Sequence, residues 1–230
     1  MTLIELHNVS KIYPEGNRQV AALDGLSLNF AAGEFAVLAG PSGSGKTTAL
    51  NLIGGLDRPT AGTVRFADTD LSRISRRQLA DFRLHNIGFI FQSYNLIPVL
   101  TALENAEFTL MLQGVPSPQR RTRVRELFAE LGIEGLEQRR PADLSGGQQQ
   151  RVAIARAMAA QPRVILADEP TANLDSATAE DLLDLMRRLN DERGTTFIFS
   201  SHDDRVIARA RRTIRLADGR LTSDTAQDDG

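Results

Sequence analysis

The sequence predicts an α/β domain: a mostly parallel sheet flanked by helices, entered through antiparallel N-terminal strands and interrupted by an inserted helical subdomain. Three observations carry that expectation. Strand-like and helix-like segments alternate before about residue 93 and again after 160. Residues 93–160 between them read as helix after helix. A glycine-rich turn joins the most apolar strand-like run to a helix with apolar periodicity.

In chain order, residues 3–9 and 26–30 alternate as half-buried strands do, and 34–39 read as a buried strand. A helix follows from about Gly45 to Gly54, then short strands at 62–66 and 87–91. Thr101-Ala102-Leu103-Glu104 is a capping box that opens a helix in the insert. Ser117-Pro118 places proline at a first helical position, and Gly132 closes that helix. Strands are expected again at 164–168, 196–200 and 213–217, with helices near 176–190 and 203–210. One domain therefore spans 2–222, with its core at 2–92 and 161–222 and the helical subdomain at about 93–160. The polar, acidic tail 223–230 is expected to be disordered.

At 230 residues the chain can bury a sizeable core. Twenty-seven basic residues nearly balance 29 acidic ones, so no bulk field draws it to nucleic acid or an anionic membrane. With no cysteine, disulfides, thiol catalysis and cysteine-ligated zinc are excluded. The first residues lack a basic segment followed by an apolar one, so no secretory signal is read. No run of about 18 apolar residues encodes a membrane span, so any membrane role is expected to come through a partner. Only Lys11 and Lys46 are lysine among the basic residues. So strong an arginine bias draws attention to where lysine is kept.

Gly40-Pro41-Ser42-Gly43-Ser44-Gly45-Lys46-Thr47, followed by Thr48, fits the G-x-x-x-x-G-K-[ST] phosphate loop and sits between strand and helix. Glycines let successive N–H groups turn inward around a phosphate, and the helix N-terminus adds its positive end. Lys46 is suited to the β- and γ-phosphates and Thr47 to Mg²⁺. At this chain's composition the pattern would arise by chance in about one chain per thousand. A P-loop NTPase core is therefore expected.

The strand at 164–168 ends in Asp168-Glu169, and ligands of parallel sheets collect at the carboxyl ends of strands. Asp168 is suited to holding Mg²⁺, and Glu169 to orienting or deprotonating an attacking water. Gln92 ends the strand before the insert, where an amide can sense Mg²⁺ or the γ-phosphate. His202 follows the strand 196–200 and can donate to the γ-phosphate. Each is an ordinary surface residue when taken singly; the phosphate loop changes the odds. Leu144-Ser145-Gly146-Gly147-Gln148 opens another helix with a second anion-binding turn, or a plain helix cap.

In that order, these motifs make the sequence similar to the ABC ATPases over roughly residues 2–222. The resemblance implies the ABC ATPase fold and ATP hydrolysis with Mg²⁺. It implies that Tyr13 stacks on adenine and that Asp175 lies in a loop touching a second subunit. It further implies a head-to-tail dimer in which Ser145 and Gly147 complete the other chain's site, with Gly146 and Gln148 as binding residues of the same turn. Ser201 stands where threonine is more usual, and Thr171-Ala172-Asn173 replaces a glycine-containing version; neither alters a phosphate-contacting motif. Ile53-Gly54-Gly55-Leu56-Asp57-Arg58-Pro59-Thr60 and the words at 94–98 and 100–105 resemble the lipoprotein-releasing and macrolide-efflux group, which includes a cell-division member. The implied partner is an integral membrane permease, with the chain cytoplasmic and peripheral on the inner face of the membrane. Residues 93–112 are the expected docking surface, with Glu104 and Glu107 as its charged contacts.

A nucleic-acid-directed ABC ATPase is the alternative. Such proteins insert coiled-coil arms or zinc modules between the glutamine and the second turn. Here only 53 residues separate Gln92 from Ser145, without cysteine or a long heptad. Arginine clusters at 120–125 and 209–215 read as solvated helix faces. No nucleic acid is expected as partner.

Overall fold

The computed structural model describes residues 2–16 and 18–226. Two long strands, β1 (Thr2–Glu15) and β2 (Arg18–Ala31), form an antiparallel hairpin. They are longer than their alternating segments suggest, because the hairpin continues past the core as an exposed ribbon. β3 (Phe35–Ala39) is buried along its whole length and leads into α1 (Lys46–Ile53). β4 (Ala61–Phe66) and the short β5 (Thr69–Asp70) follow, giving a four-stranded antiparallel sheet in the order β2-β1-β4-β5.

The helix α2 (Arg76–Asn86) comes next; Ser75 and Gln78 cap it reciprocally. Beyond it the chain makes β6 (Ile87–Ile90), then α3 (Ala102–Leu112), α4 (Ser117–Glu130) and α5 (Gly146–Ala159). Pro118 occupies the second rather than the first position of α4, which starts at Ser117. β7 (Val164–Asp168), α6 (Ser176–Arg193), β8 (Thr196–Ser201), α7 (Asp204–Arg209), β9 (Arg212–Ala217) and β10 (Arg220–Ala226) complete the order. The larger sheet runs β10-β9-β3-β8-β7-β6 and is parallel except for β10.

Side chains of the parallel strands alternate between two cores, as a period of two requires. Phe35, Val37, Ile165, Ala167, Phe197 and Phe199 face α3–α7. Ala36, Leu38, Val164, Leu166 and Ile198 face α1 and the antiparallel sheet. The helices inserted between β6 and β7 thus share a core with the sheet: Val152, Ile154 and Met158 of α5 belong to the same cluster as Phe35.

The expected disordered tail is corrected as far as Ala226. Residues 223–226 belong to β10 and pair antiparallel to β9. Arg212 supplies the reason, since it bonds Asp224 through both Nε and Nη2 while Nη1 reaches Glu34 and the Asn29 carbonyl. Those carboxylates hold the guanidinium pKa well above its usual range, hydrogen bonding to Asp224 contributing most. Residues 227–230 lie outside the described residues.

Candidate functional site

Four neighbouring parallel strands, β3, β8, β7 and β6, end on one edge of the sheet. Gly40, His202, Asp168-Glu169 and Gln92 follow those ends or close them. The strand order gathers residues far apart in sequence around one cleft of about 480 Å³. Ser42, Gly43, Ser44, Gly45, Lys46, Thr47 and Thr48 form one wall, with Tyr13, Gln92, Glu169 and His202 around the rest.

The phosphate loop is built around its lysine. Lys46 is only 6% exposed, and its Nζ donates to the carbonyls of Gly40 and Pro41 at 2.8 and 2.9 Å. Gly40 has φ +150°, and a Cβ there would lie 2.3 Å from the Leu216 carbonyl oxygen, so no other residue fits. Gly45 caps α1 without a side-chain bond to the first turn, leaving those N–H groups to an anion. The buried hydroxyl of Ser44 has no hydrogen-bond partner. An orphaned donor, free helix N–H groups and a buried ammonium in one loop fit a polyphosphate.

Thr47 Oγ1 donates to Asp168 Oδ1 across 3.1 Å. A hydroxyl and a carboxylate that close together are hard oxygen donors, the kind Mg²⁺ takes alongside phosphates and water. Glu169 sits at φ +45°, a left-handed turn immediately after β7, and its N–H bonds the Ser200 carbonyl. That turn swings the carboxylate across the end of β8. Its Oε2 accepts the Ser201 hydroxyl at 2.8 Å, and its Oε1 lies 2.7 Å from His202 Nδ1. Ser201 entered the sequence reading only as a departure, yet it supplies the hydroxyl that orients the acid. Asp203 next to it bonds Arg205 and the Thr171 hydroxyl, and Arg205 foremost holds its carboxyl at about 2.

Gln92 is tied by its backbone: Asn173 Nδ2 donates to the Gln92 carbonyl at 2.8 Å. The next turn places Tyr94 and Asn95 at positive φ, and Arg156 of α5 holds both carbonyls. Thus α5 is fastened to the segment that follows Gln92. No local sequence signal marks Arg156 for this.

The second turn lies elsewhere. Ser145 caps α5, and with Gln148 it forms a capping box. Ser145, Gly146, Gly147 and Gln148 are not among the residues lining the cleft. Gly147 is closed against α6, since a Cβ there would come within 2.7 Å of the Thr178 methyl carbon. Asp175 also stands off the cleft and caps α6, accepting from the Thr178 N–H and hydroxyl. The N-termini of α5 and α6 therefore stand side by side.

A larger groove of about 640 Å³ opens beside α2 and α3, lined by Leu56, Leu84, Phe89, Phe91 and Leu112 with Arg77, Arg83 and Arg156. It contains none of the phosphate loop or the acid pair.

The family model described as ABC transporter matches residues 23–172, a stretch holding the phosphate loop, Gln92, the second turn and the acid pair. This chain belongs to the ABC transporter family. An ABC cassette of this kind is an ATP-binding ATPase, and the relatives agree. The lipoprotein-releasing system ATP-binding protein LolD of Geobacter metallireducens is 43% identical over 97% of this chain and 99% of its own length. The macrolide export ATP-binding/permease protein MacB of Salmonella choleraesuis is 47% identical over 95% of this chain, which spans about a third (34%) of that protein. Among solved structures, the ATP-binding cassette MJ0796, a dimer in a post-hydrolysis state with ADP and Pi, aligns with a TM-score of 0.91. It is 42% identical, over 97% of this chain and 98% of that one. Among the described residues, no helix of this ABC cassette is long and apolar enough to cross a membrane.

Proposed function

We propose that this ABC cassette hydrolyses ATP as a head-to-tail dimer to drive a membrane permease of the lipoprotein-release or macrolide-export type, from the cytoplasmic face of the membrane. The observation that carries this reading is the cleft at the ends of β3, β7 and β8. There the Lys46 loop and the Glu169–His202 pair face one space, and Thr47 lines it while bonded to Asp168.

In this reading the phosphate loop cradles the β- and γ-phosphates, with Lys46 donating to them in place of the Gly40 and Pro41 carbonyls. Thr47 and Asp168, with Gln92, would hold a Mg²⁺ ion, whose charge offsets that of the phosphates. Glu169, oriented by Ser201, accepts a proton from the attacking water, and His202 bonds the γ-phosphate through the ring nitrogen that Glu169 does not occupy. Tyr13 offers its ring to adenine. Ser145, Gly146, Gly147 and Gln148, off the cleft of their own chain, meet the γ-phosphate of a second copy, and Asp175 lies at that same contact. MJ0796 was solved as a dimer, which supports two copies here.

The apolar groove between α2 and α3 suits the permease, because Leu56 and Leu112 are exposed there, uncovered by any of the described residues. Of the carboxylates expected at that surface, Glu107 is buried against Arg120, whereas Glu104 is exposed while it closes the capping box of α3.

The reading is tested by phosphate release from ATP by the purified chain. Turnover should require Mg²⁺ and stop with a chelator. Glu169→Gln should bind ATP and fail to hydrolyse it; wild-type turnover in that variant would remove Glu169 from its role.

A further inference from the structure

Of the two lysines of the chain, Lys46 lines the cleft in the phosphate loop, and Lys11 stands beside Tyr13, which lines the cleft too. Lys11 Nζ lies 4.8 Å from the centroid of the Tyr13 ring, so an ammonium covers one face of that ring. The same nitrogen donates to Asp57 Oδ1 at 2.8 Å and to the Arg58 carbonyl at 2.9 Å. Asp57 uses its other oxygen, Oδ2, to accept the Tyr13 hydroxyl at 2.7 Å. Asp57 therefore receives lysine and tyrosine on opposite oxygens, and its Oδ1 also takes the Arg58 N–H. Burial works against the charge of Asp57, but the bonds from Lys11 and Tyr13 outweigh it and keep the carboxyl below its usual range. The Tyr13 phenol is raised, by burial first and then by Asp57, so it stays a donor.

We infer that Lys11 and Asp57 are positioning residues that clamp Tyr13, fixing its ring so that one face is closed by the ammonium and the other is presented to adenine. The inference rests on the reading of Tyr13 as the adenine platform. Without a clamp, a 36% exposed tyrosine on a protruding hairpin samples several rotamers and must be ordered each time a base arrives. Lysine suits the task better than the arginine this chain otherwise prefers. A compact ammonium with three freely turned donors serves a carboxylate, a carbonyl and a ring face together, whereas a planar fork commits to one direction.

A clamp on the base platform acts on the base and not on the phosphates. The test is therefore affinity for two probes, ATP and inorganic tripolyphosphate, measured calorimetrically on the intact chain carrying Glu169→Gln, so that ATP survives the titration. Tyr13→Ala should weaken ATP about tenfold or more, in line with loss of a base stack. Tyr13→Phe keeps the ring and loses the hydroxyl's bonds to Asp57 and the Thr48 side chain, and should cost about three- to fivefold, as loss of a hydrogen bond does. Asp57→Ala should match or exceed Tyr13→Phe, and the pair should not add, because they remove the same bond. Lys11→Met, which keeps the stem and loses the charge, should weaken ATP in the same direction. Tripolyphosphate affinity should hold within twofold in all four.

Equal weakening of ATP and tripolyphosphate in Asp57→Ala would mean general disturbance of the loop and would overturn the clamp. So would normal ATP affinity in Asp57→Ala and Tyr13→Phe while Tyr13→Ala is impaired, an outcome that leaves the stacking reading intact. Normal ATP affinity in Tyr13→Ala would instead remove Tyr13 from the base.

Discussion

Glu169 and His202 are joined at 2.7 Å through Oε1 and Nδ1, although they lie 33 positions apart in sequence, because the left-handed turn at Glu169 points its carboxylate across β8. The bond sets the direction in which the imidazole can serve. The Glu169 carboxylate takes Nδ1, so only Nε2 is left for a phosphate, and it serves there only while it carries a proton to donate. The two residues should therefore behave as one unit. Glu169→Gln and His202→Ala should each lower kcat by roughly 10²-fold or more, and the double variant should be little slower than the slower single one. Losses that multiply in the double variant, in single-turnover phosphate release, would mean that the residues act independently.

Lys46 is enclosed by the Gly40 and Pro41 carbonyls, a space that fits one ammonium. A guanidinium is wider and presents its donors in a plane, so Lys46→Arg should fail almost as badly as Lys46→Ala. Both should lose turnover and bind ATP more weakly. Turnover near normal in the Arg variant would show that charge alone suffices at this position.

How much of this was legible in the sequence follows the range of the interaction involved. The phosphate loop is eight consecutive residues, and the capping boxes at 101–104 and 145–148 need only three-residue spacing, so local reading found the former and the first of the latter. Ser75 and Gln78 carry that same capping signal for α2, but the segment lies in a stretch of arginines whose weak apolar periodicity does not mark a helix. β10 is polar and acidic, and only Arg212, twelve residues away from Asp224, makes it a strand. The Lys11–Asp57–Tyr13 cluster joins positions 44 to 46 residues apart. Lys11 stood out in composition alone, and nothing local pairs it with Asp57. Arg156 and the carbonyls of 94 and 95 meet only because α5 packs on the sheet.

Glu107 and Leu112 share α3 and should respond oppositely. Glu107 is 7% exposed and bonds Arg120 at 3.4 Å, so its loss leaves the half-buried guanidinium, which also bonds the Val115 carbonyl, without its carboxylate. Glu107→Ala should cost about 1–3 kcal/mol, a fall in Tm of roughly 2–10 °C, whatever the partner does. Leu112 is 57% exposed and lines the apolar groove. Leu112→Asp should leave Tm and basal hydrolysis within error and abolish stimulation by the permease in reconstituted membranes. Full stimulation in that variant would place the permease elsewhere on the cassette.

Ser145 holds two positions at once, and separating them gives the sharpest test of a shared site. Its hydroxyl accepts the Gln148 N–H and so caps α5, while its place off the cleft leaves it free to meet a second copy. Replacing it with a bulky cation would damage both functions. Ser145→Asp divides them, because aspartate is as good an N-cap as serine and favours the positive end of the helix. In the apo chain this variant should therefore keep its Tm, or gain slightly. Facing a phosphate of the partner, the same carboxylate is repelled at short range. Glu169→Gln alone should retain ATP and run as a dimer on a sizing column, since ligand that bridges two chains favours their association by mass action. Glu169→Gln with Ser145→Asp should bind ATP as tightly per chain but run as a monomer, with only high salt restoring some association. Ser145→Asn, a cap without the charge, should dimerise in the same background. If the aspartate variant dimerises on ATP as readily as the asparagine one, Ser145 does not face the other chain's phosphate, and each cassette closes its site alone.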